Sequence, residues 1–126
     1  MEMTKKELKK ICRELQLYST PELNDKLFLH YKGYAAIANL EEYTGLKVLY
    51  LEGNGFPKLG GLDCQVELKS LFLQENMISK MEGLGGCPVL DTLNLAQNRI
   101  EKIEGLEACT KLTSLLLKKN RLKTVE

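Results

Sequence analysis

Leucine, isoleucine and asparagine recur along most of the chain in a pattern that repeats every 22 residues. Each unit, here called a coil, has leucines at its first, fourth and sixth positions and an asparagine at its ninth. Four copies of this signature begin at Leu46, Leu68, Leu90 and Leu112. The alternation between the fourth and sixth positions predicts a short strand whose two leucines face inward. The asparagines should form a buried hydrogen-bonded ladder consisting of Asn54, Asn76, Asn98 and Asn120.

This spacing is the signature of leucine-rich repeats. It predicts an α/β fold, a right-handed solenoid with a parallel sheet on its concave side and short helical or 3₁₀ segments on its convex side. We expect about five coils over residues 23–126, the last one incomplete. The first coil is degenerate, because Asn24 takes the place of the first leucine and Lys32 the place of the ladder asparagine. Glycine recurs where a tight bend is expected, at Gly61, Gly83 and Gly105.

The first 22 residues do not follow the repeat and are predicted to form an N-terminal helical cap. Thr4 followed three residues later by Glu7 is typical of a helix start. An apolar stripe at helical spacing is formed by Leu8, Ile11, Cys12 and Leu15. The lysines between these positions should face water. A solenoid needs such a cap because its first coil would otherwise expose an apolar end.

The four cysteines indicate neither a disulfide framework nor a metal site. Cys87 and Cys109 occupy the same position of successive coils, where a small buried side chain is expected. No two cysteines form a CxxC pair, and a single histidine does not complete a zinc site of the usual spacing. We therefore predict no metal and no cofactor.

The balance of charge argues against nucleic-acid and membrane partners. The 126 residues include 18 basic and 17 acidic side chains, and 44% of residues are hydrophobic. No apolar run is long enough to cross a bilayer, and no apolar stretch follows Met1, so we expect an intracellular protein. The sequence stops midway through a coil, so that Leu122 and Val125 would belong to an open apolar end. We expect a fragment of a longer protein; the alternative is end-to-end self-association through this coil.

The concave face is the predicted binding site, because side chains between the strand leucines point outward. That position holds, coil by coil, Phe28, Tyr50, Phe72, Asn94 and Leu116. The position just after the second strand leucine holds His30, Glu52, Gln74 and Lys118, which complete the predicted site, and Ala96 in the fourth coil. Three successive aromatic residues in an exposed row are typical of a protein-binding surface. The alternative is cross-strand packing that only stabilises the sheet.

Nothing in the sequence points to catalysis or to a small-molecule substrate. His30 has no serine or cysteine partner at a recognisable spacing. The glycines at 53, 55, 60 and 61 belong to turns of the repeat and not to a phosphate-binding loop. We therefore predict a non-enzymatic protein.

Segments of the N-terminal cap and of the first and third coils resemble the dynein axonemal assembly factor 1 family, namely Met3–Lys5, Thr20–Pro21, Leu29–Gly33, Asn39–Leu46 and Phe72–Asn76. The resemblance implies a cytoplasmic scaffold that helps to preassemble dynein arms for motile cilia or flagella. The implied partners are axonemal dynein chains, other assembly factors and chaperones, and the protein could also occur in the cilium. The repeat at Ile100–Leu106 also resembles that of the nuclear regulatory subunit of protein phosphatase 1. A phosphatase-binding subunit and a structural axonemal protein are therefore the alternatives.

Overall fold

The computed structural model describes residues 1–123; the predicted apolar residue Val125 lies outside them. One helix, α1 (Lys5–Glu14), and a 3₁₀ turn (Pro21–Leu23) precede five strands. The strands are β1 (Lys26–Phe28), β2 (Val48–Tyr50), β3 (Ser70–Phe72), β4 (Thr92–Asn94) and β5 (Ser114–Leu116). They form one parallel sheet in sequence order. The predicted leucine-rich-repeat fold with its N-terminal helix is confirmed.

The register of the sheet follows the 22-residue period. Leu27, Leu49, Leu71, Leu93 and Leu115 are aligned across the five strands. The first four are completely buried, and so are the aligned residues two positions later, Leu29, Leu51, Leu73 and Leu95. Each coil thus contributes the same apolar positions to one continuous core, and each outward side chain lies beside its counterpart in the next coil.

The predicted asparagine ladder is confirmed, with Asn76 and Asn98 buried and Asn54 and Asn120 half-buried, and each asparagine connects neighbouring coils. The side-chain oxygen of Asn76 accepts hydrogen bonds at 3.1, 2.8 and 3.0 Å from the backbone N–H groups of Asn54, Gly55 and Phe56. Its amide nitrogen donates to the carbonyl oxygens of Leu51 and Leu73 at 3.1 and 2.9 Å. The ladder satisfies backbone groups that the short strands leave without partners inside the solenoid.

Of the two predicted alternatives for the segments that return along the convex side, the structure has 3₁₀-type turns and no helix within residues 24–123. In the first coil, the N–H of Tyr43 donates to the carbonyl of Leu40, and the N–H of Leu46 donates to the carbonyl of Tyr43. These turns follow one another three residues apart and do not overlap. A 3₁₀ helix needs overlapping bonds of this kind, so each turn stays isolated.

Glycine at the predicted bend is required by the stacking of the coils. Gly61, Gly83 and Gly105 have φ angles of 71°, 73° and 71°. A Cβ at Gly83 would lie 2.7 Å from the carbonyl oxygen of Leu59 in the preceding coil. Asn39 adopts the same conformation in the first coil, where its side chain instead donates to the carbonyl of Met3.

We expect Gly83→Ala to lower the free energy of unfolding by about 2–3 kcal/mol, through both the positive φ and the blocked contact. Gly33→Ala is the matched control, because Gly33 has a φ of 75° and a Cβ there would meet nothing within 4 Å. It should cost about 1 kcal/mol. Urea unfolding of both variants measures the difference. An equal loss of unfolding free energy in the two variants would show that the close contact between coils is not the reason for glycine at position 83.

The cap helix begins as predicted, with the Thr4 hydroxyl accepting a hydrogen bond from the N–H of Glu7 at 3.0 Å. Leu8, Ile11 and Cys12 are buried against the first coil. Leu15 departs from the predicted stripe, since its side chain is 47% exposed. The helix has ended at Glu14, and Gln16 turns the chain with a φ of 57°, which removes Leu15 from the buried face.

The irregular first coil has a structural explanation in Asn24. Its buried side chain accepts a hydrogen bond from the N–H of Tyr18 and donates to the carbonyl of the same residue, both at 3.0 Å. A leucine at this position could make neither bond. Asn24 therefore fastens the loop after the cap helix to the first coil.

Cys87 and Cys109 are buried free thiols, as predicted. They belong to a column with Tyr43 and Gln65, which occupy the same position in the earlier coils. The Cys87 thiol donates to the carbonyl of Leu62 at 3.7 Å. Burial is the largest cause that raises the pKa of Cys87, to about 11, and the neighbouring Cys109 and Asp63 raise it further. This column is therefore part of the core.

Two buried tyrosines make the fold sensitive to alkaline pH. Burial raises the pKa of Tyr34 to about 12, with Glu7 as a further cause, and burial beside Cys12 raises the pKa of Tyr43 to about 12. Both folded-state pKa values exceed the ordinary value of 10.0. The contribution of the two protonated tyrosines to the stability of the fold is therefore complete below pH 10 and is lost as the pH rises towards 12. We expect urea unfolding to show a loss of about 1 kcal/mol per tyrosine between pH 9 and 11. The same loss in a Tyr34→Phe, Tyr43→Phe variant would contradict this assignment.

Candidate protein-binding face

Three aromatic rings stack along the concave face. The ring centroids of Phe28 and Tyr50 are 4.9 Å apart with planes 7° from parallel, and those of Tyr50 and Phe72 are 5.0 Å apart at 8°. In-register parallel strands lie about 4.8 Å apart, so identical positions carry their rings face to face. We call these three residues the aromatic stack. All three are half-buried, so part of each ring stays accessible to a partner.

His30 lies against the edge of the aromatic stack. Its ring centroid is 6.4 Å from that of Phe28 and 6.3 Å from that of Tyr50, with the planes at 77° and 70°. Edge-to-face contacts of this kind are favourable. The first two coils therefore present a compact, rigid aromatic surface.

The column beside the stack carries polar atoms without partners. Within residues 1–123, the buried atoms His30 Nδ1, Glu52 Oε1 and Gln74 Oε1 form no hydrogen bond. These three predicted site residues occupy the same position in successive coils. A buried polar atom without a partner is unfavourable. This column therefore has hydrogen-bonding capacity that the chain itself does not use.

Tyr31 borders the face and was not among the predicted site residues. Its φ is 51°, its side chain is 59% exposed, and its hydroxyl donates to the carboxylate of Glu75 two coils away. The ring passes over Gly53, where a Cβ would collide with it. The glycine at position 53 was the available signal, since glycine often marks the close approach of another group.

A cleft of about 340 Å³ extends the face towards the cap, lined by Leu15, Phe28, His30 and Lys32. Leu15 enters this surface because it follows the end of α1. The sequence pattern assigns it to the buried stripe and so does not predict its place beside Phe28. The exposed apolar surface thus continues from the cap onto the aromatic stack.

The stack ends at the fourth coil. Asn94 is aligned with Phe72, but its side-chain oxygen accepts a hydrogen bond from the N–H of Ala96 at 3.0 Å. Leu116 and Lys118 follow in the fifth coil, both exposed. The structure therefore places all nine predicted site residues on the same side of the sheet, but ring contacts join only Phe28, His30, Tyr50 and Phe72.

Metal-ligating clusters and membrane-spanning helices are both absent from the part of the chain that the structure describes. Residues 1–123 contain no group of three or more histidine, cysteine, aspartate or glutamate side chains arranged to hold a metal ion. None of the helices in the same range is long and apolar enough to cross a membrane.

Comparison with known families supports the repeat pattern. Residues 66–108 match a family described as leucine-rich repeats, in two copies. The chain has the leucine-rich-repeat fold. The Drosophila melanogaster SNF/U2A′ complex contains a similar fold, with a TM-score of 0.76 and 26% identity over 99% of this chain and 73% of that one. A domain of InlJ from Listeria monocytogenes gives a TM-score of 0.59 and 26% identity over 70% of this chain and 19% of its own.

The sequence comparison confirms the resemblance inferred from the first coils. Human dynein axonemal assembly factor 1 is 59% identical over 49 residues, which are 39% of this chain and 7% of that protein. A Drosophila erecta homologue of the same factor is 60% identical over 50 residues, which are 40% of this chain and 3% of its own length. The repeat protein thus matches a small part of these much longer relatives.

Proposed function

We propose that this leucine-rich-repeat protein is a non-enzymatic scaffold for the cytoplasmic preassembly of axonemal dynein arms. The observation that carries the proposal is the 59% identity with human dynein axonemal assembly factor 1. The name of that relative describes assembly of axonemal dynein. Its identity to this chain exceeds the 26% found for the solved repeat structures.

The proposed binding site is the concave face, with the aromatic stack at its centre. Its residues are the nine predicted from the sequence, joined by Tyr31 and Leu15. Rigid aromatic side chains bind partners at a low cost in conformational entropy and dominate many protein interfaces. The half-buried side chains of His30, Glu52 and Gln74 add polar groups beside them. The proposed partners are axonemal dynein chains, other assembly factors and chaperones.

Removal of the protein from ciliated cells tests the function. We expect electron micrographs of the axonemes to lack dynein arms and the cytoplasm to contain less dynein heavy chain. A tagged copy should restore the arms and should fractionate with the cytoplasm after the cilia have been detached. Normal arms would contradict the proposal. Recovery of the tagged protein mainly in demembranated axonemes would favour a structural axonemal protein.

A further inference from the structure

The regular stacking of aromatic side chains on the concave face ends at the fourth coil. Aromatic rings follow one another at 4.9 and 5.0 Å over the first three coils. Asn94 then occupies the position in register with Phe72, and Leu116 occupies the next. The face of the Phe72 ring that is turned away from Tyr50 consequently has no ring beside it.

Asn94 leaves room above the sheet because its side chain is held close to its own strand. Its oxygen accepts a hydrogen bond from the N–H of Ala96, two residues along. Ala96 itself adds only a methyl group at the position that His30, Glu52 and Gln74 fill in the first three coils. The fourth coil therefore forms a slot between Phe72 and Leu116.

The width of this slot matches one ring. Phe72 and Leu116 are two strands apart, which is about 9.6 Å at the usual strand spacing. A ring midway between them would lie about 4.8 Å from each, close to the centroid distances already present in the stack. An aromatic side chain inserted here would continue the stack on Phe72 and contact Leu116 on its other face.

The charges around the slot are positive on one side only. Lys118 and Lys119 follow Leu116, are exposed, and have no carboxylate within 4.0 Å among residues 1–123. Glu52 and Glu75 lie on the side of the aromatic stack, in the second and third coils. A bound segment with carboxylates would be attracted towards the fifth coil and repelled from the second and third.

We propose that the slot over Asn94 binds an aromatic side chain of a protein partner, on a segment whose carboxylates meet Lys118 and Lys119. The proposal deepens the proposed function, since it rests on the concave face being the docking surface. It defines the partner by its chemistry, as an exposed aromatic residue next to aspartate or glutamate. Aromatic insertion supplies the anchor, and the lysines orient the segment.

Selection of random peptides displayed on phage against the purified chain tests this proposal without any dynein component. We expect the enriched peptides to share an aromatic residue beside aspartate or glutamate. The central variant is Asn94→Phe, because phenylalanine already occupies this position in the first and third coils. It fills the slot with the protein's own ring. Fluorescence anisotropy with an enriched synthetic peptide should show binding weakened by at least about 10-fold.

Three controls make the result specific. Met77→Phe adds a ring at an exposed position outside the concave rows and should change affinity by less than about 2-fold. Lys118→Glu with Lys119→Glu should weaken binding in low salt and have less effect in high salt. A peptide with a photo-crosslinking benzoylphenylalanine in place of its aromatic residue should label Phe72, Asn94 or Leu116. This last test does not require that any variant of the chain folds.

Equal binding by Asn94→Phe in its folded form, crosslinks outside the slot, or enriched peptides without aromatic residues would overturn the proposal. These outcomes are distinct from failure of the proposed function. Dynein arms that form normally without the protein would contradict preassembly and leave the slot in place. If the slot binds no aromatic peptide, the preassembly function still stands, and its partners would bind another part of the concave face.

Discussion

Replacement of Asn76 by alanine is expected to lower the free energy of unfolding by about 3–5 kcal/mol, a large effect for a single polar side chain. The residue is 6% exposed and makes hydrogen bonds to three N–H groups of the preceding coil and to three carbonyl oxygens. Alanine would leave these backbone groups buried without partners, and water has little access to them. Chemical unfolding in urea, followed by circular dichroism, measures the loss.

Asn94→Ala is the matched control for the ladder. It removes the same amide from the neighbouring coil, but the residue lies on the concave face and accepts one hydrogen bond, from the N–H of Ala96. We expect it to cost less than about 1 kcal/mol. If both variants lost similar stability, the ladder would not be the main polar connection between coils.

Replacement of both Tyr50 and Phe72 by alanine is expected to weaken partner binding by at least about 100-fold, equivalent to about 2.7 kcal/mol. The two rings form the central contact of the aromatic stack, with centroids 5.0 Å apart. Their inward neighbours, the strand leucines, would remain in place. The pair should therefore cost only about 1–2 kcal/mol of stability. Titration calorimetry with a purified partner and urea unfolding of the free protein separate the two effects.

A control for this pair uses exposed apolar side chains outside the concave face. Val66 and Met77 are 52% and 42% exposed, and neither lies in the rows that carry the predicted site. Val66→Ala with Met77→Ala removes comparable apolar character and should leave affinity within about 2-fold of the original. An equal loss of affinity in the two double variants would show that the partner binds elsewhere or through apolar character in general.

The regular part of the fold was predictable because each coil repeats the same environment. The period placed Leu49, Leu71 and Leu93 in register and made Asn76 and Asn98 part of a ladder, and the structure confirms both. The same register also explains why the aromatic row could be read from sequence. Side chains at one repeat position must lie one strand spacing apart when the strands are parallel.

Local features that break the period were harder to predict. The helical pattern includes Leu15, yet the chain turns at Gln16 and releases it to the surface. The contact between Tyr31 and Glu75 joins residues 44 positions apart and depends on a positive φ at Tyr31. Apolar spacing carries no information about such conformations. The sequence left helical and 3₁₀ convex segments as alternatives, because spacing alone does not distinguish isolated turns from overlapping ones.

The side chain of Asn94 has an orientation that the sequence does not reveal. The sequence shows that an asparagine interrupts the aromatic row, but it does not show where the side chain points. The hydrogen bond that the Asn94 side chain accepts from the N–H of Ala96 holds it close to the sheet. One face of the Phe72 ring therefore stays uncovered. An outward rotamer would have closed the same place. The proposed slot therefore required the structure.

We propose that the concave face of this protein recruits the machinery of dynein arm assembly. The most direct measurement is affinity capture of the tagged protein from ciliated cells, with and without the Tyr50→Ala, Phe72→Ala pair, read by quantitative mass spectrometry. We expect axonemal dynein chains and chaperones with the original protein and their loss with the folded variant. Undiminished capture by the variant, or capture dominated by a phosphatase catalytic subunit, would contradict the account.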